Sequence, residues 1–405
     1  MATMIENLKT SKNKYVRISY WIGLWTLKFI QIQPYQWYIR IAILLYILGY
    51  ILPVSHRAPL QAQQSVATEH QQVCVHTNLM DEVDEWKIQR SLQLVREMGA
   101  PTIVDFFPWA YVERQEGVYD WTQTDRVMNH AQNQGIQVIA RTGLVPRWAR
   151  AEDTTLNQIS DDRFDEFADY VAAFAERYAG IADHIIIWNE PNLAFEWGFE
   201  SFAPERYVRL LQTVYDSAHR ANPNVTILAG ALAPTIEPDG SPYALNDLIY
   251  LERMYQAGAS DYFDALAVHT YGFTESHNVP PAPDQLNFRR VELIQEIIDR
   301  YDPEAEIYIT ESGWNDDPRW TKAVRPSQRI AYTIGAFNWA ETHSNQVNTL
   351  CLWIFRFPRP TLRYPDNFTL VTSEFQLRPI YYAVQNYARG WERNDELWLP
   401  PPSAE

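Results

Sequence analysis

Residues 185–192 read Ile-Ile-Ile-Trp-Asn-Glu-Pro-Asn, an apolar run that stops at the carboxylate of Glu190. A second run of the same kind, Ile-Tyr-Ile-Thr-Glu-Ser-Gly-Trp at residues 307–314, stops at Glu311. Apolar residues at consecutive positions are typical of a strand buried on both faces, as in a parallel sheet covered by helices. Both glutamates are therefore predicted at the carboxyl ends of parallel strands, where α/β barrels and open sheets carry their functional groups.

The same alternation of a short apolar strand and an amphipathic helix continues from residue 73 almost to the end of the chain. The predicted strands cover residues 73–77, 102–106, 137–141, 185–189, 226–229, 265–269, 307–310 and 349–355. The segments between them space their apolar residues at about 3.6, and a last helix is predicted over 379–388. Eight such units without a Gly-rich nucleotide loop predict an α/β fold, a (β/α)8 TIM barrel rather than a doubly wound sheet.

Three regions follow from this pattern. They are residues 1–64, an export signal or membrane anchor with a linker, residues 65–391, the barrel domain, and residues 392–405, a C-terminal tail. The 14 apolar residues at 41–54 fall short of the ~20 that cross a bilayer comfortably. A cleaved signal is therefore favoured over an anchor through residues 39–54, and the predicted location is secreted or cell-surface.

The net charge of −16 is unevenly distributed. Residues 1–57 contain seven Lys or Arg and one acid, Glu6, so subtracting their +6 leaves −22 for the rest of the chain. A field this negative repels phosphates and uronates, which argues against nucleic acid and anionic polymers as partners. A neutral partner is favoured. The 15 Trp and 24 Tyr suit stacking on sugar rings, although most of them are expected to pack the barrel.

The chain has two cysteines, Cys74 and Cys351, which argues against a disulfide framework or a cysteine metal site. They fall in the first and eighth predicted strands, which are neighbours in a closed barrel. A bond between adjacent parallel strands is geometrically awkward. We therefore expect two buried free thiols.

The two glutamate motifs resemble those of the clan A retaining glycoside hydrolases, which are (β/α)8 barrels and include the cellulase-like family 5 and the β-xylosidase-like family 39. Asn-Glu-Pro after strand four and Thr-Glu-Ser-Gly after strand seven carry the resemblance, which spans residues 70–390. It implies that Glu190 is the acid/base and Glu311 the nucleophile of double-displacement hydrolysis of β-linked glycosides or polysaccharides. The implied partner is a carbohydrate, and neither a cofactor nor a metal is implied.

The resemblance also implies substrate-binding residues. Asn189 matches the asparagine that donates a hydrogen bond to the sugar 2-hydroxyl. His269 and Tyr271 match a His-x-Tyr motif after strand six, in which the tyrosine holds the nucleophile and the histidine lines the same subsite. Trp353, on strand eight, matches the tryptophan that forms the floor of the sugar-binding subsite.

Further residues are predicted in loops at the same end of the barrel. Trp109 and Trp314 follow predicted strands and are candidates for additional sugar subsites. Residues 109–113 and 117–121 resemble a run after strand two in families 39 and 42, which shapes the pocket wall. Many family 5 members carry an arginine near the end of strand two that contacts the nucleophile. That strand lacks one here, and Arg141 on strand three is the candidate substitute.

Two alternatives remain open. A catalytically silent carbohydrate-binding barrel is disfavoured by the presence of both glutamates, whereas a transglycosidase would use the same residues as a hydrolase. Metal-dependent hydrolysis and Ser-His-Asp hydrolysis fit poorly, because the sequence contains neither His-Glu-x-x-His nor Gly-x-Ser-x-Gly.

Overall fold

A computed structural model describes residues 6, 9–10, 12, 14–29, 34–51, 58–343 and 346–391, and it divides the chain into two units, Met1–Arg57 and Ala58–Glu405. The first unit contains helices α1 (Lys14–Phe29) and α2 (Pro34–Ile51). None of the helices in the described ranges combines the length and the apolar character needed to cross a membrane. Residues 52–54 of the predicted signal or anchor, and the predicted tail, lie outside the described residues.

The second unit is a closed barrel of eight parallel strands in chain order. The strands are Val73–His76 (β1), Thr102–Pro108 (β2), Gln137–Gly143 (β3), His184–Ile187 (β4), Thr226–Leu232 (β5), Ala265–Tyr271 (β6), Glu306–Gly313 (β7) and Val347–Leu352 (β8). β8 pairs with β1 and closes the barrel. The predicted TIM barrel is therefore confirmed, with all eight strands at the predicted places.

Helices cover the outside of the barrel. They are Glu85–Met98 (α3), Trp109–Val112 (α4), Thr122–Gln134 (α5), Phe164–Arg177 (α6), Pro204–Ala221 (α7), Asp247–Gln256 (α8), Val291–Tyr301 (α9), Pro326–Thr342 (α10) and Pro379–Ala388 (α11). α3 and α5 end at glycines in the left-handed conformation, Gly99 and Gly135, which turn the chain back toward the next strand. The predicted last helix coincides with α11.

The strands alternate between two cores, as the period of two requires. One set of residues packs outward against the helices. The other fills the barrel interior and consists of Cys74, Val104, Ile139, Ile186, Leu228, Ala231, Ala265, Ala267, Tyr308 and Cys351. Residues two positions beyond this layer lie on the same face of their strands and also point into the barrel. The interior layer therefore lies directly beneath the side chains at the carboxyl ends of the strands.

The expectation of two free thiols is wrong. Cys74 and Cys351 stand directly opposite each other in the β1–β8 register, with 4.1 Å between their Cα atoms, and they form a disulfide. The objection to bonding adjacent parallel strands does not hold here, because both side chains point into the barrel interior at the same level. The bond joins the first and last strands across 277 residues of chain.

We expect the double variant Cys74→Ala/Cys351→Ala to have a free energy of unfolding about 2–5 kcal/mol lower than the wild type, because the bond restricts the unfolded chain over a long loop. Denaturant unfolding with and without reductant measures this difference. Wild-type protein denatured without reductant should take up no thiol-alkylating reagent. Two alkylated cysteines in that sample would contradict the bond.

Candidate active site

Glu311 is directed into the barrel by a bulge in β7. Val268 of β6 pairs with Ile309, but His269 pairs with Glu311, so Thr310 is an extra residue in the strand. Tyr308 belongs to the interior layer, and strict alternation would therefore point Thr310 inward and Glu311 toward the helices. The bulge reverses this order. As a result the Glu311 carboxylate, only 7% exposed, lies above the interior layer.

Glu190 is positioned by an irregular turn at the end of β4. Trp188 and Glu190 have positive φ angles, 73° and 45°, which are uncommon for residues other than glycine. The indole of Trp188 consequently leaves the barrel interior and packs against Phe167 and Trp197. The Glu190 N–H donates to the Ala231 carbonyl over 3.1 Å, which fixes the turn against β5. The predicted strand extended to residue 189, whereas β4 ends at Ile187 because of this turn.

The two carboxylates lie close together, with His269 between them. Glu190, His269 and Glu311 each offer one ligand atom, and these three atoms lie within 4.8 Å of one another. His269 Nδ1 is 2.8 Å from Glu190 Oε1 and 3.8 Å from Glu311 Oε2. The structure therefore brings the two glutamates, 121 residues apart in sequence, to the same nitrogen of one imidazole.

Glu311 is surrounded by hydrogen-bond donors. Arg141 Nη1 donates to Glu311 Oε1 over 2.8 Å, and the Tyr271 hydroxyl donates to Oε2 over 2.7 Å. Burial opposes ionisation of Glu311, but positive charge at His269 and Arg141 and the Tyr271 hydrogen bond outweigh it and lower the pKa of this carboxyl. Arg141 and Tyr271 thus make the contacts that were expected of them.

Asn189 belongs to the same network. Its Oδ1 accepts from Arg141 Nη1 over 2.8 Å, so one guanidinium nitrogen contacts both Asn189 and Glu311. Because the amide oxygen faces Arg141, the amide NH₂ is directed away from that guanidinium.

His269 is fully buried. Burial lowers the pKa of the His269 imidazole, but the charge of Glu311 and the hydrogen bond and charge of Glu190 reverse the effect, and the net direction is upward. Glu190 and Glu311 therefore share a neighbour that favours carrying a proton.

His76, which the sequence analysis missed, also faces Glu311. It lies two residues after Cys74 on the same face of β1, and its Nε2 is 3.5 Å from Glu311 Oε1. Burial and the nearby Arg141 lower the pKa of His76 to about 3, so the ring is neutral at ordinary pH. Neither ring nitrogen has a hydrogen-bond partner among the described residues. The sequence signal that could have identified His76 was its position two residues after Cys74, which places both side chains on the same face of β1.

Judged by distance alone, one group in the described part of the chain could hold a metal ion, and it consists of Glu190, His269 and Glu311. Their chemistry fits a hydrogen-bonded carboxylate pair better. The permanently charged Arg141 already contacts Glu311, and His269 Nδ1 already contacts Glu190. A second cation there would be repelled by the guanidinium.

The predicted aromatic residues fall into two groups. Trp353 follows β8, is half-buried, and packs edge-on against Tyr271 and Phe368 with ring centroids 6.4 and 5.2 Å apart. It therefore stands beside the carboxylates. Trp109 and Trp314, by contrast, are 0% and 1% exposed. The prediction that these two indoles form sugar subsites is wrong, because the core covers them and leaves no face for a ligand.

The buried indole of Trp109 instead organises the loop after β2. Its Nε1 donates to Glu113 Oε2 over 2.6 Å, and the Gly117 N–H donates to Glu113 Oε1 over 2.7 Å. Trp148 Nε1 donates to the Glu113 carbonyl. Trp109, Glu113 and Gly117 are spaced so that the carboxylate of Glu113 joins the two ends of this loop.

A cavity of about 220 Å³ adjoins Asn189 and Arg141. Its walls include Glu196, to which the sequence analysis assigned no role. Burial and the charge of Glu190 raise the pKa of Glu196 to about 7. A larger groove of about 430 Å³ lies between the loops after β1 and β2, and none of the predicted site residues line it.

Comparisons with known proteins agree with this architecture. Residues 78–170 match the model of glycoside hydrolase family 42, described as β-galactosidase, and this segment includes the loop organised by Glu113. No curated protein sequence matches the chain.

Solved structures of glycoside hydrolases share the fold. A family 39 glycoside hydrolase from Bacteroides cellulosilyticus WH2 superposes with a TM-score of 0.65 at 19% identity, covering 81% of this chain and 65% of that one. A monomeric β-xylosidase from Caulobacter crescentus CB15 gives 0.58 at 18%, covering 80% and 69%. A psychrophilic family 10 endo-β-1,4-xylanase gives 0.51 at 15%, covering 78% and 97%.

The chain therefore has a (β/α)8 barrel fold of the kind found in glycoside hydrolases. It is similar in fold to structures of families 39, 10 and 5, its residues 78–170 are similar to family 42, and it spans about two thirds of the length of the family 39 structures.

Replacing Arg141 with methionine is expected to raise the pKa of Glu311 by at least about 1, because it removes a cation in direct contact with a buried carboxylate. A pH titration of Glu carboxyl carbons by ¹³C NMR, with Glu311→Gln to assign the signal, measures this pKa. Arg147→Met is the matched control, since Arg147 lies in the loop after β3 but pairs with the exposed Glu152. An unchanged Glu311 pKa in Arg141→Met would contradict the electrostatic account.

Proposed function

We propose that this protein is a retaining glycosidase that hydrolyses β-linked O-glycosides or polysaccharides. The observation that carries the proposal is the pair of carboxylates, Glu190 and Glu311, whose facing atoms lie within 4.8 Å. Retaining glycosidases hold their two carboxyl groups ~5–5.5 Å apart, whereas inverting enzymes need ~6.5–9.5 Å to admit a water molecule between them. The spacing therefore favours double displacement.

In this mechanism Glu311 attacks the anomeric carbon and Glu190 protonates the leaving oxygen. The contacts of Glu311 support its role, because Arg141 and Tyr271 stabilise the carboxylate that a nucleophile requires. Among the described residues no arginine contacts Glu190, which hydrogen-bonds to His269 instead. In the second step Glu190 removes a proton from water, which attacks the glycosyl-enzyme ester and releases Glu311.

Two polar side chains and one ring are available to bind the sugar. The Asn189 NH₂ is free of Arg141 and can donate to the 2-hydroxyl, a contact that strengthens as charge develops on the ring. The unpartnered nitrogens of His76 provide one more donor or acceptor. Trp353, beside Tyr271, offers an apolar face for stacking.

Export of the chain is part of the proposal. The basic and apolar sequence of residues 1–57 suits an export signal. The Cys74–Cys351 bond supports the same location, since disulfides persist mainly in oxidising compartments.

Activity is tested on the full chain with a panel of aryl β-glycosides and β-linked polysaccharides. Glu190→Ala is expected to lose about 10²–10⁴-fold in kcat/KM on substrates with poor leaving groups, and Glu311→Ala more. Azide should rescue both variants, with a glycosyl azide of inverted configuration from Glu311→Ala and of retained configuration from Glu190→Ala. Glu205→Ala, at an exposed position of α7, is the control.

The stereochemistry of these azides separates the two roles. Retained azide from Glu311→Ala, or full activity in either variant, would contradict the assignment. A disaccharide product formed at high sugar concentration, without release of free sugar, would identify a transglycosidase.

Tyr271→Phe is expected to move the acidic limb of the kcat/KM profile to higher pH. Glu311 must be ionised to attack, so activity is kept as pH falls until the pH approaches the lowered pKa of Glu311. Removing the Tyr271 hydrogen bond raises that pKa, and activity is then lost at a higher pH. Tyr250→Phe is the control, since its buried hydroxyl has no hydrogen-bond partner among the described residues. Coincident acidic limbs for Tyr271→Phe and wild type would refute this role.

A further inference from the structure

The 220 Å³ cavity beside Asn189 contains two polar side chains, Glu196 and Asn157, that have no part in the chemistry described so far. It lies between the ends of β2, β3 and β4 and the loops that follow them. Its walls are partly apolar, from Phe106, Leu144 and Trp188, and partly polar, from Asn157 and Glu196. This mixture is suited to a ring with an apolar face and a hydroxyl-bearing edge.

Glu196 forms the acidic end of the cavity and is held by one amide. Asn157 Nδ2 donates to Glu196 Oε2 over 3.2 Å, and Asn189 lines the same cavity. An ionised carboxylate has about four acceptor positions, so the Asn157 amide leaves capacity for further donors. No arginine or lysine pairs with Glu196 in the described part of the chain, unlike Glu200 of the same loop, which pairs with Arg206.

The cavity is connected to the carboxylate pair through Arg141 and Asn189. Arg141 donates to both Glu311 and Asn189, and Asn189 lines the cavity together with Glu196. Asn189 therefore separates the ring at the cleaved bond from the space around Glu196. A group that fills this space has to belong to a neighbouring part of the substrate.

The loop that carries Glu196 is fixed in place. Asn157 Nδ2 also donates to the Phe195 carbonyl over 3.2 Å, and Trp188 Nε1 donates to the Glu196 carbonyl over 2.8 Å. These bonds tie the loop after β4 to the loop after β3 and to the end of β4. A binding group on such a loop is already oriented before the ligand arrives.

We propose that Glu196 and Asn157 form a second sugar subsite, which binds the hydroxyl groups of a neutral ring adjacent to the ring that is cleaved. The subsite rests on the proposed glycosidase function. If this subsite exists, the substrate of the site is an oligosaccharide rather than a single sugar linked to a small alcohol. A ring bearing a carboxylate is excluded, because its charge would face Glu196 in a poorly solvated space. Burial and the charge of Glu190 raise the pKa of Glu196 to about 7, so near neutral pH the group can donate to a hydroxyl as well as accept from one.

The test measures how affinity depends on the number of sugar rings. Calorimetry with Glu311→Gln, which keeps an oxygen for Arg141 but cannot complete turnover, gives dissociation constants for the mono-, di- and trisaccharide of the sugar identified by the glycoside panel. Where the panel identifies none, oligosaccharides of β-linked glucan, xylan and mannan take their place. We expect the trisaccharide to bind at least about 10-fold more tightly than the monosaccharide, the scale of a hydrogen bond to a charged group.

Adding Glu196→Gln should reduce this gain, and adding Glu196→Ala should abolish it, while monosaccharide affinity changes less than about 3-fold. Glu200→Gln, in the same loop but outside the cavity walls, is the matched control and should keep the gain. Thermal melting checks that each variant is folded. The same gain in the Glu196 variants, an equal loss in Glu200→Gln, or no gain with chain length in any protein would overturn the subsite.

The outcome for the subsite is distinguishable from the outcome for the proposed function. If the wild type hydrolyses nothing but binds the trisaccharide more tightly than the monosaccharide through Glu196, the glycosidase proposal fails and the subsite stands. If hydrolysis is observed and the gain does not depend on Glu196, the glycosidase stands and the subsite fails. Absence of both hydrolysis and sugar binding would overturn both.

Discussion

The negative charge of a carboxylate buried at the centre of a barrel has to be stabilised by hydrogen-bond donors or positive charge. At the carboxyl end of this barrel, the residues around Glu311 meet that requirement. An unpaired charge in such a place would cost several kcal/mol. Here Arg141 and Tyr271 each donate a hydrogen bond to one of its oxygens, from β3 and β6. The same guanidinium fixes Asn189, and the same imidazole, His269, contacts both glutamates. In the proposed mechanism, the different surroundings of Glu190 and Glu311 separate the acid from the nucleophile.

Much of the fold could be predicted because its signal is local. Each strand is a short apolar run, each helix has one apolar face, and eight repeats of this unit close into a barrel. The contacts of Arg141 and Tyr271 with Glu311 were implied by the resemblance to the clan A glycoside hydrolases, whose motifs these two residues match or replace. His76 was also within reach, since it lies two positions beyond a residue of the barrel interior.

Other features depend on long-range packing that no sequence window contains. Counting in twos from Tyr308 points Glu311 outward, and only the pairing of β7 with β6 reveals the bulge at Thr310. Trp109 and Trp314 follow strands at the correct end of the barrel, yet aromatic side chains of the surrounding helices pack on them and bury them. The Cys74–Cys351 bond depends on the register between the first and last strands, which the sequence does not specify. Glu196 gains its position from a loop whose path is set by hydrogen bonds to Asn157 and Trp188.

The central claim is that Glu311 forms a covalent bond to the sugar, and trapping that intermediate tests it most directly. Activated 2-deoxy-2-fluoro β-glycosides of the sugars that the protein cleaves form the ester but slow its hydrolysis, so intact-mass and peptide mass spectrometry can locate it. We predict one added glycosyl unit, carried by the peptide that contains Glu311, and no adduct in Glu311→Gln. Labelling of another carboxylate, or turnover of the parent glycoside with inversion and no trapped species, would contradict the account.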